Sequence, residues 1–429
     1  MQEILKTPGN TKWFVHDRFG LFIHWGLYSM AARHEWVRHN EQIPNEVYDE
    51  KYFKRFDPDL YDPYLWAKIA KDAGMKYFVV TTKHHEGFCL WDSQYTDYKA
   101  TNTPAKRDLI KPMVEAFRKE GFKVGFYYSL LDWHHPQFVI DPIYGPYRNA
   151  NLEEMNKNRD QKKYAEYMYN QIKELLTMFG KIDILWCDFS YPTKDGKGKG
   201  KDAWNSERLY KLIRELMPDI ILNDRLDLSE GWDIKTPEQT QPREWLKVNG
   251  VPVIWEACQT FSGSWGYHRD EMTWRSTENL IKTLIDCVSK GGNLLLNVGP
   301  TARGEIDERA IERLKGIGEW IKRHNRSIYG CTQAPEGFIT PEDCRLTYNP
   351  ETNRLYVHLF SWPYGFLHID NISDKVEYAQ FLHDGSEVKM GLNEWHSSSV
   401  GSIKKNTLSL QLPLVKPNVT VPVIELFLK

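Results

Sequence analysis

The chain predicts an α/β fold: a (β/α)8-like (TIM) barrel followed by a C-terminal antiparallel β-sandwich. Three observations lead there. Short apolar runs alternate with amphipathic stretches from about Phe19 to Tyr329, the pattern of parallel strands joined by crossover helices. Polar and aromatic residues gather at the C-terminal ends of those runs, where a barrel of parallel strands builds its site. From about Thr332 the texture changes to short alternating strands separated by turn residues, which suits a small sandwich. No Gly-rich phosphate loop follows the first strand, so a dinucleotide fold has little support. At least seven barrel strands can be counted, and the barrel is expected to be irregular. Residues 1–331 are assigned to the barrel and 332–429 to the sandwich.

The elements follow in order. Phe19-Gly-Leu-Phe-Ile-His24-Trp25 is the first strand. Leu65 to Gly74 is a helix with a Gly stop. Lys76 to Thr82 is β-branched and aromatic, hence a strand. Ile110 to Gly121 is a helix and Lys123 to Tyr128 a strand. Asp160 to Phe179 carries apolar residues at helical spacing and leads into the strand Lys181 to Asp188. A helix over Glu207 to Met217 is closed by Pro218, and Asp219 to Asp224 is a strand. Val253 to Glu256 is a strand, Thr277 to Ser289 a helix, Asn293 to Val298 a strand, and Ile306 to Arg323 the last helix. Tyr144 to Arg159 and the Lys/Gly stretch Lys194 to Lys201 are expected to be surface loops. Strands of the second region are expected at Leu346–Tyr348, Arg354–Phe360, Leu367–Ile369, Val376–Tyr378, Leu408–Leu412 and Val421–Leu428.

Composition narrows the function. Basic and acidic residues number 56 and 58, which gives no electrostatic case for nucleic acid or an anionic membrane. No run of 18 apolar residues exists to span a bilayer. The 16 Trp, 23 Tyr and 19 Phe supply platforms for the apolar faces of sugars, although such rings also fill cores. None of the six cysteines forms a C-x-x-C pair, so zinc-ribbon and thioredoxin readings have no support. Several lie in apolar runs, as free thiols do. The N-terminus shows no apolar signal segment. A reduced, cytoplasmic protein is the expectation.

The strand ending in Leu185-Trp-Cys-Asp188 stops abruptly on a carboxylate. Burying that charge costs desolvation energy unless it is hydrogen-bonded or used. A loop cap and a catalytic group both fit. The other strand ends add His24, then Thr81-Thr-Lys-His84-His85-Glu86, Tyr127 and Tyr128, and Asn223-Asp224-Arg225. In strand geometry His84 and His85 would point to opposite sides, which suits a shared metal ion poorly. No metal and no cofactor are expected. Neutral histidines both donate and accept hydrogen bonds, so they can read sugar hydroxyls.

Several motifs resemble the α-L-fucosidases of glycoside hydrolase family 29. They are Phe-Ile-His24-Trp-Gly, Glu35-Trp36, Thr-Thr-Lys-His84-His85-Glu-Gly-Phe-Cys-Leu-Trp91, Gly-Phe-Tyr127-Tyr-Ser, Leu-Trp-Cys-Asp188 and Gly-Gly-Asn-Leu-Leu-Leu-Asn-Val-Gly-Pro300. The likeness runs from about Lys12 to Gly330. It implies a retaining, exo-acting α-L-fucosidase that acts on fucosylated oligosaccharides or glycoconjugates. By position it implies that Asp188 is the nucleophile, with Phe189 where the family usually has Gly. Asp233-Ile-Lys-Thr-Pro-Glu238 resembles a family stretch that carries the acid/base, so Glu238 is expected in that role, with Glu256 as rival. The same likeness implies that His24, Glu35, Trp36, His84, His85, Tyr127, Arg225 and Trp265 line the fucose pocket. Trp265 or Trp36 would wall the C5 methyl group, and Trp133, His134 and His135 are candidates for the leaving-group side. Two other readings stand beside it: a non-catalytic fucose-binding barrel, and a metal-dependent hydrolase on the same fold.

Overall fold

The computed structural model describes residues 3–392 and 404–429; Met1 and Gln2, where the N-terminal reading begins, lie outside the described residues. Five strands come first: β1 (Phe19–Ile23), β2 (Tyr77–Lys83), β3 (Lys123–Ser129), β4 (Ile184–Asp188) and β5 (Ile221–Leu222). A small hairpin, β6 (Lys247–Val248) and β7 (Val251–Pro252), precedes β8 (Glu256–Thr260) and β9 (Asn293–Val298). Apart from the hairpin these strands form one parallel sheet in the order β5-β4-β3-β2-β1-β9-β8. Every residue of β1, β2, β4, β8 and β9 is buried. That is why these strands read as continuous apolar runs rather than alternating ones.

The two edges of this sheet, β5 and β8, meet through an irregular segment. Parallel bridges join Asn223 to Ile234, Lys235 to Trp255, and Glu238 to Cys258. Lys235 N–H donates to the Ile254 carbonyl at 2.9 Å, and Glu256 N–H to the Lys235 carbonyl at 2.9 Å. Cys258 N–H reaches the Pro237 carbonyl at 3.1 Å. Residues 234–238 thus act as the eighth strand and close the barrel. Pro237 has no N–H to give to a ladder, and Lys235, Thr236 and Glu238 break any apolar run. Periodicity therefore shows no strand there.

The six main barrel helices are Pro63–Asp72, Ile110–Lys119, Gln161–Met178, Ser206–Leu216, Thr277–Ser289 and Glu308–His324. They lie within a residue or two of expectation. Their caps explain the sharp starts: the side chains of Asp62, Asp160, Ser276 and Asp307 each accept a backbone N–H of the first turn. Three strand expectations shift. The run Lys181 to Asp188 forms a strand only from Ile184. The run Asp219 to Asp224 pairs with β4 only at Ile221 and Leu222. Beyond them the Asn223 side chain replaces the ladder, accepting Cys187 N–H at 3.0 Å and donating to the Cys187 carbonyl at 2.8 Å. The strand expected over Val253 to Glu256 begins at Glu256 and runs on to Thr260, because its partners lie in the closing segment and β9.

Neither expected surface loop is wholly a loop. Tyr144 to Arg159 contains the short helix Leu152–Asn156. In the Lys/Gly stretch, Lys199 is buried against Asp141 with an N–O distance of 2.6 Å. No helix among the described residues is long and apolar enough to cross a membrane.

The C-terminal strands are β10 (Thr332–Gln333), β11 (Cys344–Asn349), β12 (Arg354–Leu359), β13 (Phe366–Ile369), β14 (Val376–Phe381), β15 (Leu408–Gln411) and β16 (Val423–Leu428). A five-stranded antiparallel sheet, β10-β11-β12-β16-β14, faces the pair β13-β15. Leu346, Val357, Leu367, Ile369, Leu410 and Ile424 share the core between them. Trp320, on the last barrel helix, donates its indole N–H to the Val421 carbonyl at 2.9 Å and ties the two regions together.

Asp233 anchors the closing segment. It is fully buried, and its Oδ2 accepts Leu222 N–H at 2.8 Å and Arg214 Nη2 at 2.6 Å. Its Oδ1 accepts Gly9 N–H at 2.6 Å. Removing one partner of a buried pair strands the other. Asp233→Ala is expected to lower the unfolding free energy by about 3 kcal/mol, seen as a lower urea midpoint. Asp233→Asn, which keeps one acceptor, should lose less. An unchanged midpoint in the alanine variant would remove Asp233 from this anchoring role.

Candidate active site

Asp188 closes β4, Arg225 follows β5 by three residues, and Glu238 ends the closing segment. All three meet at the C-terminal end of the barrel. Arg225 Nη1 donates to Asp188 Oδ1 at 2.7 Å and to Glu238 Oε2 at 2.8 Å. Two bonds to one nitrogen keep those carboxylate oxygens within about 5.5 Å of each other. Arg225 is itself fixed. Its Nε donates to Thr236 Oγ1 at 3.1 Å and its Nη2 to the Thr236 carbonyl at 3.1 Å. Its guanidinium lies over the Trp186 ring, 4.4 Å from the centroid.

The two carboxyls are pushed in opposite directions. Burial alone would raise the Asp188 pKa, but the Arg225 charge, His85 and the Tyr127 hydroxyl, which donates to Oδ2 at 2.7 Å, hold it below the usual carboxylate range. Glu238 stands at the mouth, with its side chain 42% exposed against 12% for Asp188. The protein packed around its carboxyl raises its pKa, the Asp188 charge adds to that, and Arg225 pulls the other way without winning. One group is set up to be ionised and the other to hold its proton longer.

Glu256, the rival acid/base, is elsewhere. It opens β8 instead of ending it and is fully buried. Its Oε2 accepts from the hydroxyl of Tyr77, the first residue of β2. Burial pushes its carboxyl up to about 7. The raised value reflects a barrel interior, not a site open to substrate.

The expected pocket residues gather around the carboxylates. β2 ends at Lys83 after a register irregularity, so His84 and His85 leave strand geometry. Their rings lie together, 3.9 Å between centroids, instead of on opposite faces as strand alternation implied. Below them Lys83 is buried against Asp132 at 3.1 Å. Glu86 Oε1 accepts Leu27 N–H at 2.9 Å, and Trp133 N–H holds the His85 carbonyl at 2.8 Å. His24 sits 5.4 Å from His84 and 5.1 Å from Trp265, centroid to centroid. Among the described residues no group of three or more His, Cys, Asp or Glu is arranged to hold a metal ion.

The hydrogen-bond network assigns the tautomers. Ser129 Oγ gives its proton to the Leu131 carbonyl at 2.8 Å, so it must accept from His85 Nδ1, 2.7 Å away. Asn297 Oδ1 likewise accepts from His24 Nδ1 at 2.6 Å. Each ring therefore keeps Nε2 as an acceptor. Burial holds both rings neutral, with pKa values lowered to about 4.

Glu35 is buried, and its Oε2 accepts the N–H groups of Trp265 at 3.1 Å and Gly266 at 2.8 Å. It thereby holds the loop that presents Trp265. Asn297 Nδ2 donates to the Trp265 carbonyl at 2.7 Å. Asn297 was not singled out from the sequence, though it breaks an apolar strand one residue before its end, a signal that could have found it. Trp36 lies across the pocket, 5.3 Å from His85. Of the three leaving-group candidates, Trp133 packs 5.4 Å from Trp36. His134 instead stacks on Tyr98 at 3.6 Å and bonds Asp49, and His135 stacks on Tyr167 at 4.1 Å. Those two histidines are structural.

Phe189, directly after Asp188, has φ of +82°. That region is open to Gly but costs a bulky residue about 1–3 kcal/mol. Its ring packs 4.7 Å from His85 and 5.5 Å from Trp36. A cavity of about 1500 Å³ opens near Trp13, Trp245 and Tyr348, and neither Asp188 nor Glu238 lines it. Its size does not make it the reactive site, because the paired carboxylates and neutral histidines lie elsewhere.

The comparisons with known proteins agree with this geometry. The family model described as Alpha-L-fucosidase matches residues 2–326. The plasma alpha-L-fucosidase of Homo sapiens is 30% identical over 381 residues, covering 82% of this chain and 76% of the relative. Alpha-L-fucosidase isoenzyme 1 from Paenibacillus thiaminolyticus is 44% identical with a TM-score of 0.90, covering 98% of this chain and 99% of that one. A GH29 alpha-L-fucosidase from Bacteroides thetaiotaomicron, solved as a trapped covalent intermediate, is 27% identical with a TM-score of 0.84, covering 100% and 98%. With a barrel that ends in a bridged carboxylate pair and a family match over three quarters of its length, the chain belongs to the α-L-fucosidases of glycoside hydrolase family 29.

Proposed function

We propose that this protein is a retaining, exo-acting α-L-fucosidase in which Asp188 is the nucleophile and Glu238 the general acid and then base. The observation that carries the reading is the bridge through Arg225, which keeps one oxygen of each carboxylate within about 5.5 Å of the other. Retaining glycosidases hold their pair roughly 5–5.5 Å apart, whereas inverting ones leave room for a water. Family membership does not favour the alternatives of a non-catalytic fucose binder or a metal-dependent hydrolase. The substrate class is a fucosylated oligosaccharide or glycoconjugate. A cytoplasmic, reducing setting is proposed as well, supported by six free and buried cysteines.

The steps follow from the charges. The Asp188 carboxylate attacks the anomeric carbon. The bond to the leaving oxygen breaks, and that oxygen takes its electron pair and the Glu238 proton. The Glu238 carboxylate then draws a proton from water. The water oxygen attacks the same carbon, and the ester bond breaks to return the electron pair to Asp188. Two inversions leave the α configuration. Arg225 and Tyr127 stabilise Asp188 as a carboxylate both before attack and on departure. The Nε2 acceptors of His24 and His85 suit sugar hydroxyl donors, and His84 joins them as a neutral ring. Trp265 and Trp36 supply apolar walls for the C5 methyl, with Glu35 holding the Trp265 loop.

Asp188→Ala is expected to lose at least about a thousandfold in kcat, roughly 4 kcal/mol of transition-state stabilisation, while keeping its circular dichroism. Azide should restore part of the turnover as β-fucosyl azide. Folded Asp188→Ala with wild-type kcat would end the nucleophile assignment.

Glu238→Ala should harm substrates with poor leaving groups far more than aryl fucosides with good ones, and azide should yield α-fucosyl azide. Glu256→Gln should show no such leaving-group dependence. If the two variants exchange these behaviours, the roles exchange too.

The pH profile tests the bridge. Activity rises as Asp188 ionises and falls as Glu238 loses its proton. Arg225 lowers both groups. In Arg225→Gln both limbs should therefore move to higher pH, with a reduced kcat/KM. Limbs that stay in place would mean that Arg225 does not set the charges of the pair.

A further inference from the structure

We infer that Phe189, with Tyr144 and Tyr191, forms the platform that selects the leaving-group sugar; this rests on the fucosidase reading above. The first observation is the backbone. Phe189 holds φ of +82° one residue after Asp188, where Gly would sit without strain. A strained bulky residue persists only where its surroundings hold it there, and such residues cluster at functional sites. The second observation is what holds it. Its ring meets Tyr144 edge-on at 4.8 Å and Tyr191 at 5.6 Å, besides His85 and Trp36.

That rim is built from two segments pinned by one buried carboxylate. Asp141 Oδ1 accepts the N–H groups of Ile143 at 2.9 Å and Tyr144 at 3.0 Å. Its Oδ2 accepts the Tyr191 hydroxyl at 2.6 Å and Lys199 Nζ at 2.6 Å. One buried ion pair therefore sets both tyrosines against Phe189. The rings are held for contact at low entropy cost.

Depth assigns the rim to the leaving group. His24, His84 and His85 are at most 4% exposed, whereas Tyr144, Phe189 and Tyr191 are half-buried. An exo-acting enzyme takes the terminal sugar into the closed end, so the unit it is cut from lies outward. The half-exposed aromatic rim next to Asp188 meets that unit. Its chemistry fits a pyranose that lays a C–H face on the rings.

The test compares two substrates, α-fucosyl fluoride and a disaccharide with fucose α-linked to a hexopyranose. Fluoride has no ring to place on the rim. In Phe189→Gly the disaccharide-to-fluoride ratio of kcat/KM should fall at least about tenfold, mainly through KM, while Tm stays level or rises as the φ strain is released. Phe189→Tyr should keep the wild-type ratio. An equal loss on both substrates would make Phe189 a positioning residue for Asp188 and overturn the platform, as would an unchanged ratio. Wild-type turnover of the fluoride tests the fucosidase reading separately. Wild-type failure on both substrates overturns that reading and the platform with it.

Discussion

One guanidinium shared by two carboxylates is the interaction on which this site depends. Arg225 Nη1 lies 2.7 Å from Asp188 and 2.8 Å from Glu238. A shared cation lowers both pKa values, so by itself it cannot push one group down and leave the other raised. The surroundings separate them. Asp188 also receives the Tyr127 hydroxyl. Glu238 accepts from one arginine nitrogen and faces the Asp188 charge. Two carboxylates under one cation are therefore shifted in opposite directions.

The barrel's irregularity serves this arrangement. A regular eighth strand would carry its carboxylate on a full ladder. Here residues 234–238 pair only at isolated bridges, and the carbonyl and hydroxyl of Thr236 are free to grip Arg225. The segment that closes the barrel also carries Glu238. Asp233 fixes its start to β5 and to the N-terminal segment, so barrel closure and carboxylate spacing are one structural fact.

Below the pocket runs a layer of buried polar groups. Lys83 pairs with Asp132 and lies 4.5 Å from the Tyr128 ring centroid. Glu86 takes the Leu27 N–H and the Tyr48 hydroxyl. Buried charges are tolerated only when so satisfied. Here they hold the turn that brings His84 and His85 to one side. Lys83 and Glu86 flank the histidines in sequence because they fasten the turn from both ends.

The chain by itself determined the barrel strands, the helices with their Gly and Pro stops, and the later antiparallel strands. Burial on both faces imposes apolar runs, and helix stops need particular residues at particular places. It also placed Asp188, because a carboxylate ending an apolar strand stands out; the other strand ends drew attention to His24, His84, His85 and Arg225, and motif likeness to Glu238. Local pattern could not show residues 234–238 as a strand, since their pairing is through isolated bridges around a proline. It set His84 and His85 on opposite faces, because alternation holds only while the strand continues. It made Lys199 a solvated lysine, because its partner Asp141 is 58 residues away. The spacing of the carboxylates was decided only in three dimensions. Asp188 and Glu238 are 50 positions apart in the sequence, and no pattern of neighbours encodes the arginine that comes between them.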